Sequence, residues 1–161
     1  MTVNLKYQTM LVTGAGGFIG SRLCEKLIEA GASVRAFVRY TSRAEVGLLR
    51  QLPPQILTKI EIIRGDLRDN AAVEQAMKGV DTVFHLGALI SIPYSYVHPV
   101  ETVQTNVIGT LNMLEACRKV GAKLVHTSTS EVYGTALRVP IDEGHPLQGQ
   151  SPYSASKIGA D

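Results

Sequence analysis

The sequence has little that would indicate a secreted, metal-bound or membrane-embedded protein. Its two cysteines, Cys24 and Cys117, lie far apart in periodic segments, so neither a disulfide framework nor a metal site is expected. No stretch approaches the ~18 uncharged apolar residues of a membrane helix, and residues 1–8 lack the apolar core of a signal peptide. These absences predict a soluble, cytoplasmic protein with no membrane partner.

The composition also lacks the marks of disorder, of structural repeats and of nucleic-acid binding. Apolar residues make up 45% of the chain and charged residues 19%, which fits one globular domain. Charge is uneven, since residues 35–68 hold seven bases and three acids, a local charge of +4. That segment is either a solvated basic edge or an anion site. Nucleic acid is not expected, because the bases are sparse and not interleaved with aromatic residues.

Short apolar runs alternate with stretches of helical periodicity along the whole chain. The runs that predict strands are residues 8–12, 33–38, 60–64, 82–86 and 123–128. The longest helical stretch, residues 99–120, has an apolar stripe of Val103, Val107, Leu111 and Leu114. Residues 41–58 are less regular, and the pair Pro53 and Pro54 interrupts any helix there. The alternation predicts an α/β fold with a doubly wound parallel sheet in strand order 3-2-1-4-5.

The last residues predict the start of another helix. Ser151 is a favourable N-cap and Pro152 suits the first helical position. The chain ends shortly afterwards, at Asp161, inside that helix. We therefore expect the sequence to be the N-terminal part of a longer protein.

A glycine-rich turn follows the first strand and predicts a phosphate site. Gly14 allows a tight turn, Gly17 lets backbone amides approach a diphosphate, and Gly20 permits close helix–strand packing. The helix that begins here, at Phe18 and Ile19, directs its first amides and its positive dipole end at the anion. The spacing GxxGxxG departs from the commoner GxGxxG, and a mere turn is the alternative interpretation.

The ends of the second and third strands bear on the adenosine half of a dinucleotide. No acid follows the second strand; Arg39, Ser42 and Arg43 stand there instead, which favours the 2′-phosphate of NADP over the ribose diol of NAD. Alternatively, Arg39 stacks on adenine or faces solvent. After the third strand, Asp66 could accept from the adenine amino group with Leu67 against the ring, or Asp66 could cap the next helix.

Two segments predict acid–base chemistry. Tyr153 and Lys157 are four residues apart and lie on one helix face. Phenols ionise only near pH ~10, and an adjacent ammonium favours the phenolate. After the fifth strand, an extended chain would place Thr129 and Glu131 on the same side, ~6.6 Å apart. A surface pair, a loop cap and a solvated acid are the alternatives.

Taken together, these motifs resemble the N-terminal half of extended short-chain dehydrogenases/reductases that act on nucleotide sugars. The matching segments are Thr13–Gly20, Gly65–Leu67, His85–Ala88, Thr105–Thr110, Thr127–Gly134 and Tyr153–Lys157. Thr129, Ser130 and Glu131 resemble the Thr-Ser-Glu of GDP-mannose 4,6-dehydratase and similar sugar dehydratases. Decarboxylases that make UDP-xylose also carry Thr-Ser-Glu, whereas simple 4-epimerases usually lack the acid. Taken as a set, these segments look most like those of bacterial UDP- or GDP-N-acetylglucosamine 4,6-dehydratases.

The resemblance implies an enzyme that uses tightly bound NAD or NADP in an internal hydride cycle on a nucleotide sugar. It implies that Tyr153, with Thr129 and Lys157, removes the C4 hydroxyl proton, and that Glu131 removes the C5 proton. Tyr153 and Lys157 would also contact the cofactor. The segment that would pass under it consists of Leu86, Gly87 and Ala88.

The resemblance leaves some assignments open. The acid that aids loss of water at C6 is either Ser130 through a water molecule or Glu131 itself, because some relatives carry Asp where this chain has Ser130. Epimerase and decarboxylase remain alternatives, as does a non-catalytic dinucleotide-binding fragment. We expect residues 1–161 to form an NAD(P)-binding Rossmann domain, inactive alone, from a protein that is homodimeric when complete. Asn106 would brace the active-site strands, or lie on an ordinary helix surface.

Overall fold

The computed structural model describes residues 5–161, which form one parallel sheet covered by helices on both faces. Its strands are β1 (Thr9–Thr13), β2 (Ser33–Arg39), β3 (Ile60–Gly65), β4 (Thr82–His85) and β5 (Lys123–His126). Their order is β3-β2-β1-β4-β5, and every neighbouring pair is parallel. The predicted doubly wound fold and strand order are confirmed.

Seven α-helices lie among the described residues. They are α1 (Phe18–Glu29), α2 (Pro54–Leu57), α3 (Asn70–Ala76), α4 (Ile92–Val97), α5 (Pro99–Val103), α6 (Gly109–Val120) and α7 (Pro152–Ala160). A π-helical stretch, Gln104–Ile108, joins α5 to α6, so the predicted helix over residues 99–120 forms with a local change of pitch. In the less regular segment, a 3₁₀ turn covers Gly47–Gln51 and α2 begins at Pro54. None of these helices is long and apolar enough to span a bilayer.

The strands are apolar on both sides because each face of the sheet is covered. On one face Met10 and Val12 of β1 pack with Cys24 and Leu27 of α1. On the other face Leu11 of β1 belongs to a second buried cluster. Alternate residues of one strand thus enter opposite cores, which explains the near-continuous apolar runs in the sequence.

The long helix unit α5–α6 turns most of its aliphatic stripe away from the sheet. Its apolar stripe faces outward, with Val103 43%, Leu111 50% and Leu114 44% exposed. The buried face instead carries Thr102, Asn106, Thr110 and Met113, each at most 3% exposed. A stripe of aliphatic residues therefore identified the helix but not the side that contacts the sheet.

Helix α7 begins where the sequence predicted. The Ser151 hydroxyl accepts from the Ser154 amide at 3.0 Å, and the Ser154 hydroxyl accepts from the Ser151 amide at 2.9 Å. Pro152 occupies the first turn. This reciprocal capping fixes the start of α7 and hence the direction of the side chains that follow.

Candidate active site

The glycine turn brings α1 into close contact with the segment after β4. Gly14 has φ +65°, and a Cβ there would lie 3.0 Å from both the Leu86 carbonyl oxygen and the Gly87 nitrogen. A Cβ on Gly20 would lie 2.3 Å from the Gly14 carbonyl oxygen. Side chains at these two positions would therefore force the turn apart.

The first turn of α1 has backbone amides that no side chain caps. Gly17 is its N-cap, and no side chain caps the helix. The first-turn amides of a helix lack intrahelical partners, and together with the dipole they bind anions. The turn therefore fits a diphosphate.

Two adjoining hollows meet at this turn, at the carboxyl ends of the strands. The first hollow is lined by Gly14, Phe37, Arg39, Gly65, Asp66, Leu67, Gly87, Ala88, Leu89 and Thr105. The second hollow is lined by Gly14, Gly17, Phe18, Ile19, Gly20, Leu86, Ala88, Ile90, Thr127, Ser128, Tyr153 and Lys157. Because both include Gly14 and Ala88, they form one cleft with the glycine turn at its centre. A dinucleotide, with a diphosphate between two nucleosides, fits this arrangement.

Asp66 lies in the first hollow and does not cap a helix. Arg68 holds its carboxylate, with Nη2 2.7 Å from Oδ2 and the backbone amide 2.9 Å from Oδ1. The hydrogen bond from Arg68 holds the pKa of Asp66 below its ordinary value, against the opposing effect of burial. The N-cap of α3 is Asp69, whose side chain accepts from two amides, so the capping alternative for Asp66 is wrong.

Arg39 ends β2 and lines the first hollow, but it has a partner that the sequence analysis missed. Its Nη2 lies 3.3 Å from Oε1 of Glu101, a residue 62 positions later on α5. No local pattern could have indicated this pair, because its two members belong to separate elements. Ser42 and Arg43 are exposed, and Ser42 does not line the first or the second hollow.

Tyr153 and Lys157 are buried on α7 and share the second hollow with the glycine turn. They are 8% and 4% exposed. The Lys157 ammonium donates to the Thr127 carbonyl at 2.7 Å, which ties α7 to the end of β5. Burial lowers the pKa of Lys157, and the nearby Asp161 carboxylate opposes that shift.

His126 stands behind Lys157. Its Nε2 lies 3.0 Å from Oδ1 of Asp161 and 3.3 Å from Nζ of Lys157, while its Nδ1 is buried without a partner. Burial, followed by the charge of Lys157, lowers the pKa of His126, so the ring is neutral at neutral pH. A neutral ring whose Nε2 donates to Asp161 leaves Nδ1 as an unpaired acceptor, which costs less than an unpaired buried donor.

The extended geometry predicted for Thr129 and Glu131 is wrong. Strand β5 ends at His126, and Thr129 is the N-cap of a 3₁₀ turn over Ser130–Tyr133. The Thr129 hydroxyl accepts from the Glu131 amide at 3.3 Å, so the chain turns here and does not continue as a strand. Neither lines the first or the second hollow. Glu131 is exposed, and no described residue pairs with its carboxylate.

A buried chain of hydrogen bonds supports the glycine turn from behind. The Gly87 amide donates to the Thr13 hydroxyl at 2.9 Å, and that hydroxyl lies 2.8 Å from Nδ1 of His85. Nε2 of His85 lies 3.1 Å from the Thr110 hydroxyl, which donates to the Asn106 carbonyl at 2.6 Å. Each hydroxyl has one proton to give, so Thr13 donates to Nδ1 and His85 donates from Nε2. His85 is thereby fixed as one neutral tautomer.

Asn106 braces two other parts of the cleft. Its side-chain oxygen accepts from the Leu89 amide at 2.8 Å, and its nitrogen donates to the Leu89 carbonyl at 3.0 Å. The same nitrogen donates to the Ser156 hydroxyl of α7 at 2.9 Å. Asn106 is 1% exposed, so the alternative of an ordinary surface residue is wrong. Asn106 therefore braces two parts of the chain, the segment that follows β4 and helix α7. The prediction was that it would brace the active-site strands.

Comparison with known proteins places this architecture among enzymes of nucleotide-sugar metabolism. Residues 11–161 match the family described as GDP-mannose 4,6 dehydratase. UDP-glucuronic acid decarboxylase 1 of Arabidopsis thaliana is 36% identical over 99% of this chain and 36% of its own length. A dTDP-glucose 4,6-dehydratase of Streptomyces antibioticus is 37% identical over 94% of this chain and 46% of its own length.

A solved structure is also similar. The UDP-glucose 4-epimerase of Thermus thermophilus, in complex with NAD, superimposes with a TM-score of 0.82 and 35% identity. The match covers 95% of this chain and 48% of the epimerase chain. The chain thus spans about half or less of the length of the relatives it matches.

Proposed function

This chain belongs to the GDP-mannose 4,6-dehydratase family, and from that membership and the site geometry we propose that the complete protein is a nucleotide-sugar 4,6-dehydratase. Its substrate class is a UDP- or GDP-linked N-acetylglucosamine or a similar hexose. The observation that carries the proposal is the second hollow, in which the glycine turn and the buried pair Tyr153 and Lys157 face the same space.

Residues 1–161 are the dinucleotide-binding domain in this proposal. The turn at Gly14 and Gly17 would hold the diphosphate, Gly20 lets α1 pack closely against that turn, and Asp66 and Leu67 would contact adenine in the first hollow. Leu86, Gly87 and Ala88 would pass under the cofactor, with Leu86 and Ala88 lining the second hollow and Gly87 and Ala88 lining the first. The presence of NAD in the similar Thermus epimerase supports a nicotinamide dinucleotide here. Whether NAD or NADP is used depends on Arg39 and its surroundings.

The first chemical task of the protein is to move the proton of the sugar C4 hydroxyl. Tyr153 takes this proton as a general base, and the buried ammonium of Lys157 lines the same hollow as the nearby positive charge. The Thr127 carbonyl fixes Lys157 for this role. Thr129 does not line the second hollow itself, but it directly follows Thr127 and Ser128, which do, and its hydroxyl is the proposed second partner of the same sugar oxygen. A bound NAD(P) supplies hydride acceptance at C4 and hydride return at C6.

The second task is elimination of water across C5 and C6. A ketone at C4 acidifies the C5 proton, and Glu131 takes that proton as a general base. Its exposed and unpaired carboxylate supports this role, since no ion pair has to be broken first. The proton for the departing water comes from Ser130 through a water molecule or from Glu131 itself. The product is a 4-keto-6-deoxy sugar.

Two related reactions use the same oxidation at C4. A decarboxylase is favoured by the similarity to the Arabidopsis enzyme and by the Thr-Ser-Glu sequence that such enzymes share. Incubation of the complete protein with UDP-N-acetylglucosamine, GDP-mannose and UDP-glucuronate separates the candidates, with mass spectrometry for loss of water or carbon dioxide and NMR for the configuration at C4. A sugar that has lost one water supports the dehydratase. Carbon dioxide release from UDP-glucuronate, or a product of unchanged mass and inverted C4, would contradict it.

Glu131→Gln in the complete protein tests the assignment within the dehydratase. Without a base for C5, formation of the dehydrated product should fall at least about 100-fold, while slow reduction of the cofactor persists. Glu143→Gln removes an exposed acid from the following loop and is the matched control, expected to leave turnover unchanged. Undiminished dehydration in Glu131→Gln would exclude Glu131 from the mechanism.

Assembly and location complete the proposal. The outward apolar stripe of α5–α6 supports a homodimer of the complete protein, because exposed aliphatic residues in a row are typical of protein interfaces. A cytoplasmic location stays a prediction, consistent with the two buried and unpaired thiols of Cys24 and Cys117.

A further inference from the structure

An ion-pair cluster lies at the edge of the first hollow. Glu101 of α5 is its centre: Oε1 lies 3.3 Å from Nη2 of Arg39 and 3.6 Å from Nη1 of Arg68. Arg68 in turn holds Asp66, with Nη2 2.7 Å from Oδ2. The hydroxyl of Tyr94 donates to Oε2 of Glu101. The cluster therefore connects the ends of β2 and β3 to helices α4 and α5.

Arg39 occupies the position that distinguishes the two nicotinamide dinucleotides in folds of this class. The acid that binds the ribose diol of NAD stands near the end of the second strand, and an arginine there accommodates the 2′-phosphate of NADP. This chain has the arginine at that strand end. It also has an acid, Glu101, which reaches the same place from helix α5. The sequence position alone would count only the arginine.

Both carboxylate oxygens of Glu101 have partners. Its side chain is 25% exposed, and the ring of Tyr94 that donates to it packs against His98 with centroids 4.4 Å apart. The hydrogen bond from Tyr94, with the charges of Arg39 and Arg68, keeps the pKa of Glu101 below its ordinary value, so the carboxylate is ionised at neutral pH. Displacing it would break contacts on two sides.

The charges in the cluster already balance. Arg39 and Arg68 carry two positive charges, and Asp66 and Glu101 carry two negative charges. A 2′-phosphate would add about −1.5 to −2 at pH 7, and it could bind Arg39 only by separating it from Glu101 or by lying beside that carboxylate. A 2′-hydroxyl has no charge and can donate a hydrogen bond to a carboxylate.

We propose that Glu101 determines the choice of dinucleotide, by engaging Arg39 and excluding a phosphate from the ribose 2′ position, so that the protein prefers NAD. This inference rests on the proposed dinucleotide function and names the residue that sets its cofactor selectivity. It gives the opposite preference to the one predicted from Arg39 in the sequence. Arg39 then serves as an anchor for Glu101 at the edge of the adenosine site.

The test compares dissociation constants of NAD and NADP for the complete protein by titration calorimetry. The wild type should bind NAD more tightly. Glu101→Gln keeps the shape and the acceptor for Tyr94 but removes the charge, so the ratio of NADP affinity to NAD affinity should rise at least about tenfold. Adding Arg39→Met to Glu101→Gln should remove most of the gained NADP affinity, because the freed guanidinium is the expected partner of the phosphate.

Control measurements make the outcome decisive. Glu115→Gln removes an exposed, ion-paired acid from α6 and should leave the ratio unchanged. Thermal unfolding establishes that each variant is folded. A folded Glu101→Gln with an unchanged ratio, or a wild type that prefers NADP, would overturn the role of Glu101. Failure of the wild type to bind either nucleotide would instead refute the proposed dinucleotide function.

Discussion

At the scale of single residues, the buried polar groups support the cleft more than they take part in its chemistry. His85 shows this best, because both of its ring nitrogens are used in a one-directional chain from the Gly87 amide to the Asn106 carbonyl. Burial, followed by the charges of His126 and Lys157, lowers the pKa of His85 to about 3. The ring is therefore a neutral support, and the segment that it supports is the floor of both hollows.

The titration of His85 makes stability depend on pH. In the unfolded chain its pKa is near 6.5, and in the folded protein it is about 3, so the unfolded state binds the proton first as the pH falls. The stabilisation is complete above pH 6.5 and is lost as the pH falls towards 3, by about 2 kcal/mol between pH 6.5 and roughly pH 5. His85→Gln should be less stable at neutral pH but should lack this dependence.

Urea unfolding at several pH values measures the effect. The difference in unfolding free energy between wild type and His85→Gln should narrow as the pH falls below 6.5. A constant difference across this range would mean that His85 is not the neutral, fully engaged ring described above.

A second prediction at this scale concerns Gly20 within α1. Alanine normally stabilises a helix relative to glycine by about 1 kcal/mol, but here its Cβ would lie 2.3 Å from the Gly14 carbonyl oxygen. Gly20→Ala should therefore lower the unfolding free energy by about 2 kcal/mol or more. Gly159→Ala in α7 is the matched control, because its Cβ would meet only the Val107 side chain, at 3.3 Å. Urea midpoints should fall for the first variant and not for the second.

At the scale of elements, α1 has no side-chain cap at its N-terminus, which is the place proposed for the diphosphate. Gly17 has φ −79° and ψ 176°, a conformation open to any residue, and a Cβ there would approach only the Gly14 oxygen, at 3.2 Å. Gly17→Asp would supply a capping carboxylate at the place proposed for the diphosphate. The helix should keep its stability while dinucleotide affinity falls about 100-fold, through charge repulsion.

Gly17→Asn separates charge from shape in this experiment. Asparagine caps a helix about as well as aspartate and has nearly the same size. Calorimetric affinity for the dinucleotide should therefore fall much less in Gly17→Asn than in Gly17→Asp. Equal losses would show that the amides of this turn do not face an anion, and the proposed diphosphate site would have to be abandoned.

Elements with a strong local pattern were predictable from the sequence, and those set by distant contacts were not. The start of α7 follows from Ser151 and Pro152, whose preferences act within one turn. The 3₁₀ turn at Ser130–Tyr133 was missed because its sequence, with Val132 and Tyr133, also suits a strand. The orientation of α5–α6 does not follow from its aliphatic stripe, because aliphatic residues at helical spacing suit an interface between chains as well as a core.

At the scale of the whole molecule, the sheet order was predictable because alternation of strands and helices leaves few topologies open. The ion pair between Arg39 and Glu101 was not predictable. Arg39 and Glu101 are 62 positions apart and meet only because β2 and α5 lie beside the same hollow. A local excess of basic residues in the sequence therefore overstated the positive charge at the first hollow.

The outward stripe of α5–α6 leads to a prediction about assembly. The complete protein should sediment as a dimer, and Leu111→Glu should shift it towards monomer, because a charge would then be buried in the contact. Leu147→Glu, at a residue 55% exposed in the loop after the 3₁₀ turn, should leave the sedimentation coefficient unchanged. A Leu111→Glu protein that remains dimeric would place the contact elsewhere.

The second hollow is assembled from opposite ends of this sequence, with one wall at residues 14–20 and the other at Tyr153 and Lys157. A nascent chain leaving the ribosome therefore presents its glycine turn long before Tyr153 has been synthesised. We therefore expect the second hollow to be completed only late in the synthesis of residues 1–161, after Lys157 has been added.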